Sequence, residues 1–127
     1  MNILIVDDEP EVAEVLAKSL NRQGHRTTVV HSGADALKAV GTAAPDAMFL
    51  DISMPGMNGL DVLSQLRRTK PSLAVVVITG HGTPDEIDEV KRLGAVDVIP
   101  KPAALTHYHQ AIERLGDKKR FQPADGV

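Results

Sequence analysis

A doubly wound α/β fold, with a five-stranded parallel sheet covered by helices on both faces, is predicted by three features of this chain. Short runs rich in β-branched residues alternate with helical patterns along the whole length. Three of those runs are almost continuously apolar, as strands buried on both faces must be. Between them stand residues that start and stop helices.

The strand-like runs cover 3–6, 27–31, 47–50, 73–78 and 96–99. In the first helical pattern Val12, Val15, Leu16 and Leu20 suggest an apolar face. Ile87 and Val90 mark the fourth helix, and Leu105, Tyr108, Ile112 and Leu115 the fifth. Thr83, Pro84 and Glu86 have the spacing of a capping box with proline at the first helical position. Ser32 is placed to cap the second helix. Gly24, Gly41, Gly94 and Gly116 each follow a helical stretch and are expected to end it. Crossovers of this length give parallel neighbours. Periodicity fades after Gly116, so 1–116 reads as one domain and 117–127 as a tail or linker stub.

Composition narrows the function. The chain has 127 residues, a formal charge of −3 and no cysteine. Disulfides, thiolate nucleophiles and Cys-ligated zinc are excluded, and no basic field points to nucleic acid. The longest apolar run, LAVVVI, is strand-sized, and the start on ILIV without a basic leader argues against a signal peptide. A cytoplasmic protein with no membrane partner is expected. With one Tyr, two Phe and no Trp, the core has to be built from aliphatic residues.

The chemistry gathers at strand ends. Asp7 and Asp8 follow the first strand and Asp51 follows the third. In a parallel sheet the carboxyl ends of strands share one edge. If the first and third strands are neighbours, three carboxylates converge, and such a cluster needs a counter-ion. An all-oxygen set favours a hard cation, Mg²⁺ first. Thr79 ends the fourth strand with a hydroxyl, and Lys101 ends the fifth with an ammonium. A carboxylate, a metal site, a hydroxyl and an ammonium on one edge suit phosphoryl transfer to an aspartate. Asp51 is the expected nucleophile. Each residue alone has a plainer reading: Asp7 and Asp8 as helix-start acids, Asp51 as a loop residue, Lys101 as a surface lysine, Thr79 as a β-former.

With VDDE, DISMPGMNG, VVVITGHG and IPKP in this order, the chain resembles the receiver domains of two-component response regulators over 2–115. The resemblance implies a flavodoxin-like (βα)₅ fold with strand order 2-1-3-4-5. It assigns Asp51 as phosphoacceptor, Asp8 as a direct Mg²⁺ ligand and Asp7 as one acting mainly through water. The backbone carbonyl of Ser53 completes the metal set, Thr79 and Lys101 face the phosphoryl group, and the Lys101–Pro102 bond is expected to be cis. The implied partners are a sensor histidine kinase or histidine phosphotransfer protein and a downstream target. The implied product is a self-modifying switch, monomeric or weakly dimeric, rather than an enzyme of external turnover.

Other readings remain. An Asp-nucleophile phosphatase would want a second Asp where Ser53 stands. A flavodoxin-like cofactor module would want a phosphate loop in place of the acidic DDEP. A degenerate receiver used only for docking is made more credible by Val98. The family commonly carries Tyr or Phe there, and that ring moves when the domain is phosphorylated; it often carries Phe where this chain has Ala103. Tyr108, in the last helix, is not read as a substitute. His25 and His31 read as surface histidines, and His107 and His109, two apart on a helix, make a poor metal pair. His81 reads first as a loop histidine and second as a residue that sets the lifetime of the phosphorylated state. Met54 and Met57 are expected to pack their loop on the sheet.

Overall fold

The computed structural model describes residues 1–54, 58–80 and 83–125, the last ten as helix backbone. Its elements run β1 (Asn2–Val6), α1 (Pro10–Arg22), β2 (Arg26–Val30), α2 (Gly33–Ala43), β3 (Ala47–Asp51), α3 (Gly59–Thr69), β4 (Ala74–Thr79), α4 (Pro84–Arg92), β5 (Asp97–Pro100) and α5 (Leu105–Asp125). All pairings are parallel, in the order β2-β1-β3-β4-β5.

Alternation along the strands divides the core in two, because successive side chains point to opposite faces. Ile3, Ile5, Phe49, Val76 and Ile78 meet α1 and α5 on one side. Leu4, Val6, Met48, Leu50, Val75 and Val77 meet α2, α3 and α4 on the other. This double burial is the reason the central strands read as continuously apolar.

The helices differ from expectation in detail. Ala13, Leu16, Ala17 and Leu20 form the buried face of α1, while Val12 and Val15 are 44% and 55% exposed. Two small alanines let the helix approach the sheet closely, which turns the valines outward. In α5 the seam is Tyr108, Ala111, Ile112 and Leu115, and Leu105 at its start is exposed. Gly24 and Gly94 do end helices, with φ of +93° and +94°. Gly41 lies inside α2, and the left-handed position falls to Ala44 at φ 45°. Gly116 lies inside α5, whose backbone stays helical to Asp125. A single glycine within a helix costs only about 1 kcal/mol relative to alanine, so neighbouring helix formers override it.

Ser32 caps α2 by accepting from Asp35 N–H, Thr83 caps α4 by accepting from Glu86 N–H, and Asn58, not anticipated, caps α3 by accepting from Asp61 N–H. Gly59 opens α3 against the chain just past β3. A Cβ there would lie 2.4 Å from Ile52 Cβ and 2.7 Å from its Cα. Because backbone cannot yield as a side-chain tip can, Gly59→Ala is expected to lose about 2 kcal/mol of stability, read as a lower urea midpoint.

Candidate functional site

Five parallel strands bring their carboxyl ends to one edge, and the predicted residues meet there. Asp7 directly follows β1, Asp51 is the last residue of β3, Thr79 the last of β4, and Lys101 directly follows β5. Strand order places β3 between β1 and β4, so Asp51 stands at the centre. Asp7 is 7% exposed, and Asp51 and Thr79 only 1% each. Buried charged groups require partners.

Asp51 has two. Its Oδ1 accepts from Ser53 N–H at 2.8 Å, and its Oδ2 receives Lys101 Nζ at 2.6 Å. The Lys101 N–H donates to Thr79 O at 2.7 Å, and the Lys101–Pro102 bond is cis, as the resemblance implied. Glu9 lies 3.9 Å from the same ammonium. Burial works to lower the Lys101 pKa. The hydrogen bond and charge of Asp51, with Asp7 and Glu9 behind, outweigh it and leave the group raised above 10.5.

Asp7 is anchored from both ends. Its N–H donates to Val30 O at 3.1 Å, its Oδ1 accepts from Glu9 N–H at 2.9 Å, and its carbonyl accepts from His31 Nδ1 at 2.8 Å. His31, expected only as a surface residue, therefore fixes the peptide between the two N-terminal aspartates. Ser53 is doubly engaged: besides its bond to Asp51, its Oγ accepts from Gly80 N–H at 2.6 Å, joining the loops after β3 and β4. Thr79 Oγ1 donates to Glu86 Oε1 on α4.

Carboxylate oxygens of Asp7, Asp8 and Asp51 all lie within 4.8 Å of one another. Three carboxylates facing one ammonium leave about two negative charges. Burial first, and then the Asp51 charge, raise the Asp7 pKa above 3.8, against the lowering effect of the Glu9 N–H. The donor set fits a hard divalent cation in chemistry and charge.

The sign of that shift makes a prediction. Without metal, folded Asp7 holds its proton more tightly than the unfolded chain does. Its contribution to stability therefore falls as pH rises from near 3.8 through the raised folded pKa. Asp7→Asn removes this penalty, so the metal-free variant is expected to unfold at higher urea than the parent at pH 7. Its response to added Mg²⁺ is expected to be smaller than the parent's; urea titrations with and without Mg²⁺ check both.

Besides His31, two residues took on more than the sequence reading gave them. Glu86 read only as a capping residue. Tyr108 read as part of the apolar face of the last helix; it is buried there as expected, 6% exposed and edge-on against Phe49 with ring centroids 5.1 Å apart, and it also lines a cleft with Asp7, Glu9 and Lys101. Burial, and then Asp7, Asp51 and Glu9, push its phenol up to about 12. Val98 is half-buried in the aliphatic cluster beneath α4. Met54 packs inward as expected, and Met57 and His81 lie outside the described residues.

Residues 3–113 match the family model described as the response regulator receiver domain. The chain belongs to the response regulator receiver domain family. It is 40% identical over 125 residues to the response regulator MprA of Mycobacterium avium, covering 98% of this chain and 54% of that protein. MprA of Mycobacterium tuberculosis is 39% identical over 127 residues, with coverage of 100% and 54%. The chain thus spans about half the length of these relatives.

Among solved structures, the receiver domain of NtrX from Brucella abortus superposes with a TM-score of 0.80 at 36% identity, covering 88% of this chain and 95% of that one. The receiver domain of a LuxO repressor-like protein from Vibrio parahaemolyticus shares the fold at a TM-score of 0.88 and 21% identity, covering 99% and 97%. This receiver is accordingly a phosphoacceptor signalling switch of the two-component type. The phosphatase and cofactor-module readings are not favoured. Among the described residues, no helix is long and apolar enough to cross a membrane.

Proposed function

We propose that Asp51 takes a phosphoryl group from the phosphohistidine of a sensor histidine kinase or a histidine phosphotransfer protein. The observation that supports this most is the Lys101 ammonium on one oxygen of a buried Asp51 that also belongs to the acidic cluster. Such an acceptor lies at the edge of the sheet with a cation beside it.

In the transfer, an Asp51 carboxylate oxygen forms a bond to phosphorus as the phosphorus–nitrogen bond breaks. The departing imidazole nitrogen keeps the electron pair and takes up a proton. Asp51 reacts as its carboxylate and has no proton to lose. Asp7, Asp8, Asp51 and the carbonyl of Ser53 would hold Mg²⁺, which when bound offsets the negative charge of the phosphoryl oxygens. Lys101 neutralises further charge on those oxygens, and the Thr79 hydroxyl donates to one of them. The domain acts on itself, and autodephosphorylation would return it to the resting state.

The proposal extends to a cytoplasmic receiver unit at 1–116, with 117–127, helical to Asp125, as a tail or linker stub. It binds neither nucleic acid nor membrane directly and passes its state to a downstream protein as a monomer or weak dimer.

Intact mass after incubation with acetyl phosphate and Mg²⁺ tests the reading. One added phosphoryl group, removed by base and absent in EDTA, is expected. A chain that gains no phosphoryl group, or gains one that resists base, ends it.

A further inference from the structure

Thr79 has one hydroxyl proton and can direct it to one acceptor at a time. In the structure that acceptor is Glu86 Oε1. Glu86 stands in the first turn of α4, where its N–H is taken by the capping Thr83. The second half of a capping box would turn the Glu86 carboxylate back toward Thr83. Here its Oε1 instead reaches across to the end of β4.

The helix it belongs to is lightly held. Val90 is the one buried residue of α4, whereas α1, α2 and α3 bury four each. Elements with little buried apolar surface open at the smallest free-energy cost. Among the described residues, the hydrogen bond from Thr79 to the charged Glu86 is one tie between this end of α4 and the sheet.

We infer that Glu86 is the positioning residue of Thr79: it holds the hydroxyl in the resting state, and phosphorylation of Asp51 withdraws it, releasing the first turn of α4. The inference rests on the proposed role of Asp51. Phosphoryl oxygens arriving at Asp51 compete for the single Thr79 proton. Once they take it, the Glu86 carboxylate loses a donor and faces a more negative site, and both changes push in the same direction. The signal thereby reaches α4 through a polar contact and needs no aromatic ring at Val98.

The test uses the whole chain with ¹³C-methyl-labelled threonine and ¹⁵N amides, titrated with beryllofluoride in Mg²⁺. In the parent, the Thr79 methyl and the amides of Ile87 to Val90 are expected to shift together on binding. In Glu86→Ala without the mimic, those resonances are expected to lie displaced toward their bound positions, and half-saturation is expected at about tenfold lower beryllofluoride. Glu86→Gln keeps a neutral acceptor and a residue suited to the same helix position, and should fall between. Asp85→Asn removes a neighbouring charge from the same turn and should behave as the parent.

Glu86 variants that fold and leave the Thr79 methyl and the half-saturation point unchanged overturn the inference alone. An Asp85→Asn response equal to that of Glu86→Ala also overturns it, by showing a general charge effect. A parent chain that binds no beryllofluoride removes the reading of Asp51, and this inference with it.

Discussion

Asp51→Asn is expected to gain no phosphoryl group from acetyl phosphate and Mg²⁺, a loss of at least about a thousandfold in labelling rate by intact mass. The amide is nearly the same shape, but its one carbonyl oxygen can keep only one of the two bonds that Ser53 N–H and Lys101 Nζ make to separate oxygens of Asp51, at 2.8 and 2.6 Å. It lacks the anionic oxygen that the proposed attack on phosphorus requires, so chemistry is lost while the fold remains. Removing one of three crowded carboxylates also relieves repulsion in the metal-free state. The loss of the Lys101 ion pair works against that relief, so the variant should stay folded without Mg²⁺ and respond less to Mg²⁺ than the parent. Labelling that persists in Asp51→Asn would move the acceptor to another residue.

Phe49→Ala is expected to cost about 3–5 kcal/mol, a large fraction of the stability of a domain this size. Phe49 is 2% exposed on the central strand β3, among Ile3, Ile5, Val76 and Ile78, with Tyr108 edge-on against it. Truncation leaves a cavity between sheet and α5 and strips Tyr108 of its ring partner. Phe49 is also two residues before Asp51 on the same strand, so slack introduced there reaches the acceptor. Urea unfolding should show the loss, with a thermal midpoint lower by on the order of 10 °C or more. Phe49→Leu, which refills most of the volume, should recover the larger part. A cost below about 1 kcal/mol for Phe49→Ala would mean that the ring does not bear on the core as the structure has it.

Most of the site was legible because its chemistry lies in residue types at strand ends, and strands announce themselves by periodicity. Asp7, Asp51, Thr79 and Lys101 each stand within one residue of the carboxyl end of a strand. Once the sheet is parallel they share an edge, whatever the details of packing. What escaped depends on rotation and reach. Val12 and Val15 looked like core because valine is apolar, yet the small Ala13 and Ala17 decide which face of α1 approaches the sheet. Glu86 fitted a local capping pattern so well that a partner seven residues back, on another element, went unsuspected.

The chain by itself determined the order of strands and helices, the burial of both sheet faces and the residue types available for phosphoryl chemistry. These follow from short-range rules of periodicity, capping and charge. Only the tertiary structure decided that His31 holds the carbonyl of Asp7, that Tyr108 reaches the cleft beside Lys101 and that Glu86 takes the Thr79 proton. Each joins residues on different elements through a side-chain direction, and a direction is set by how close neighbouring elements pack, which no local pattern encodes.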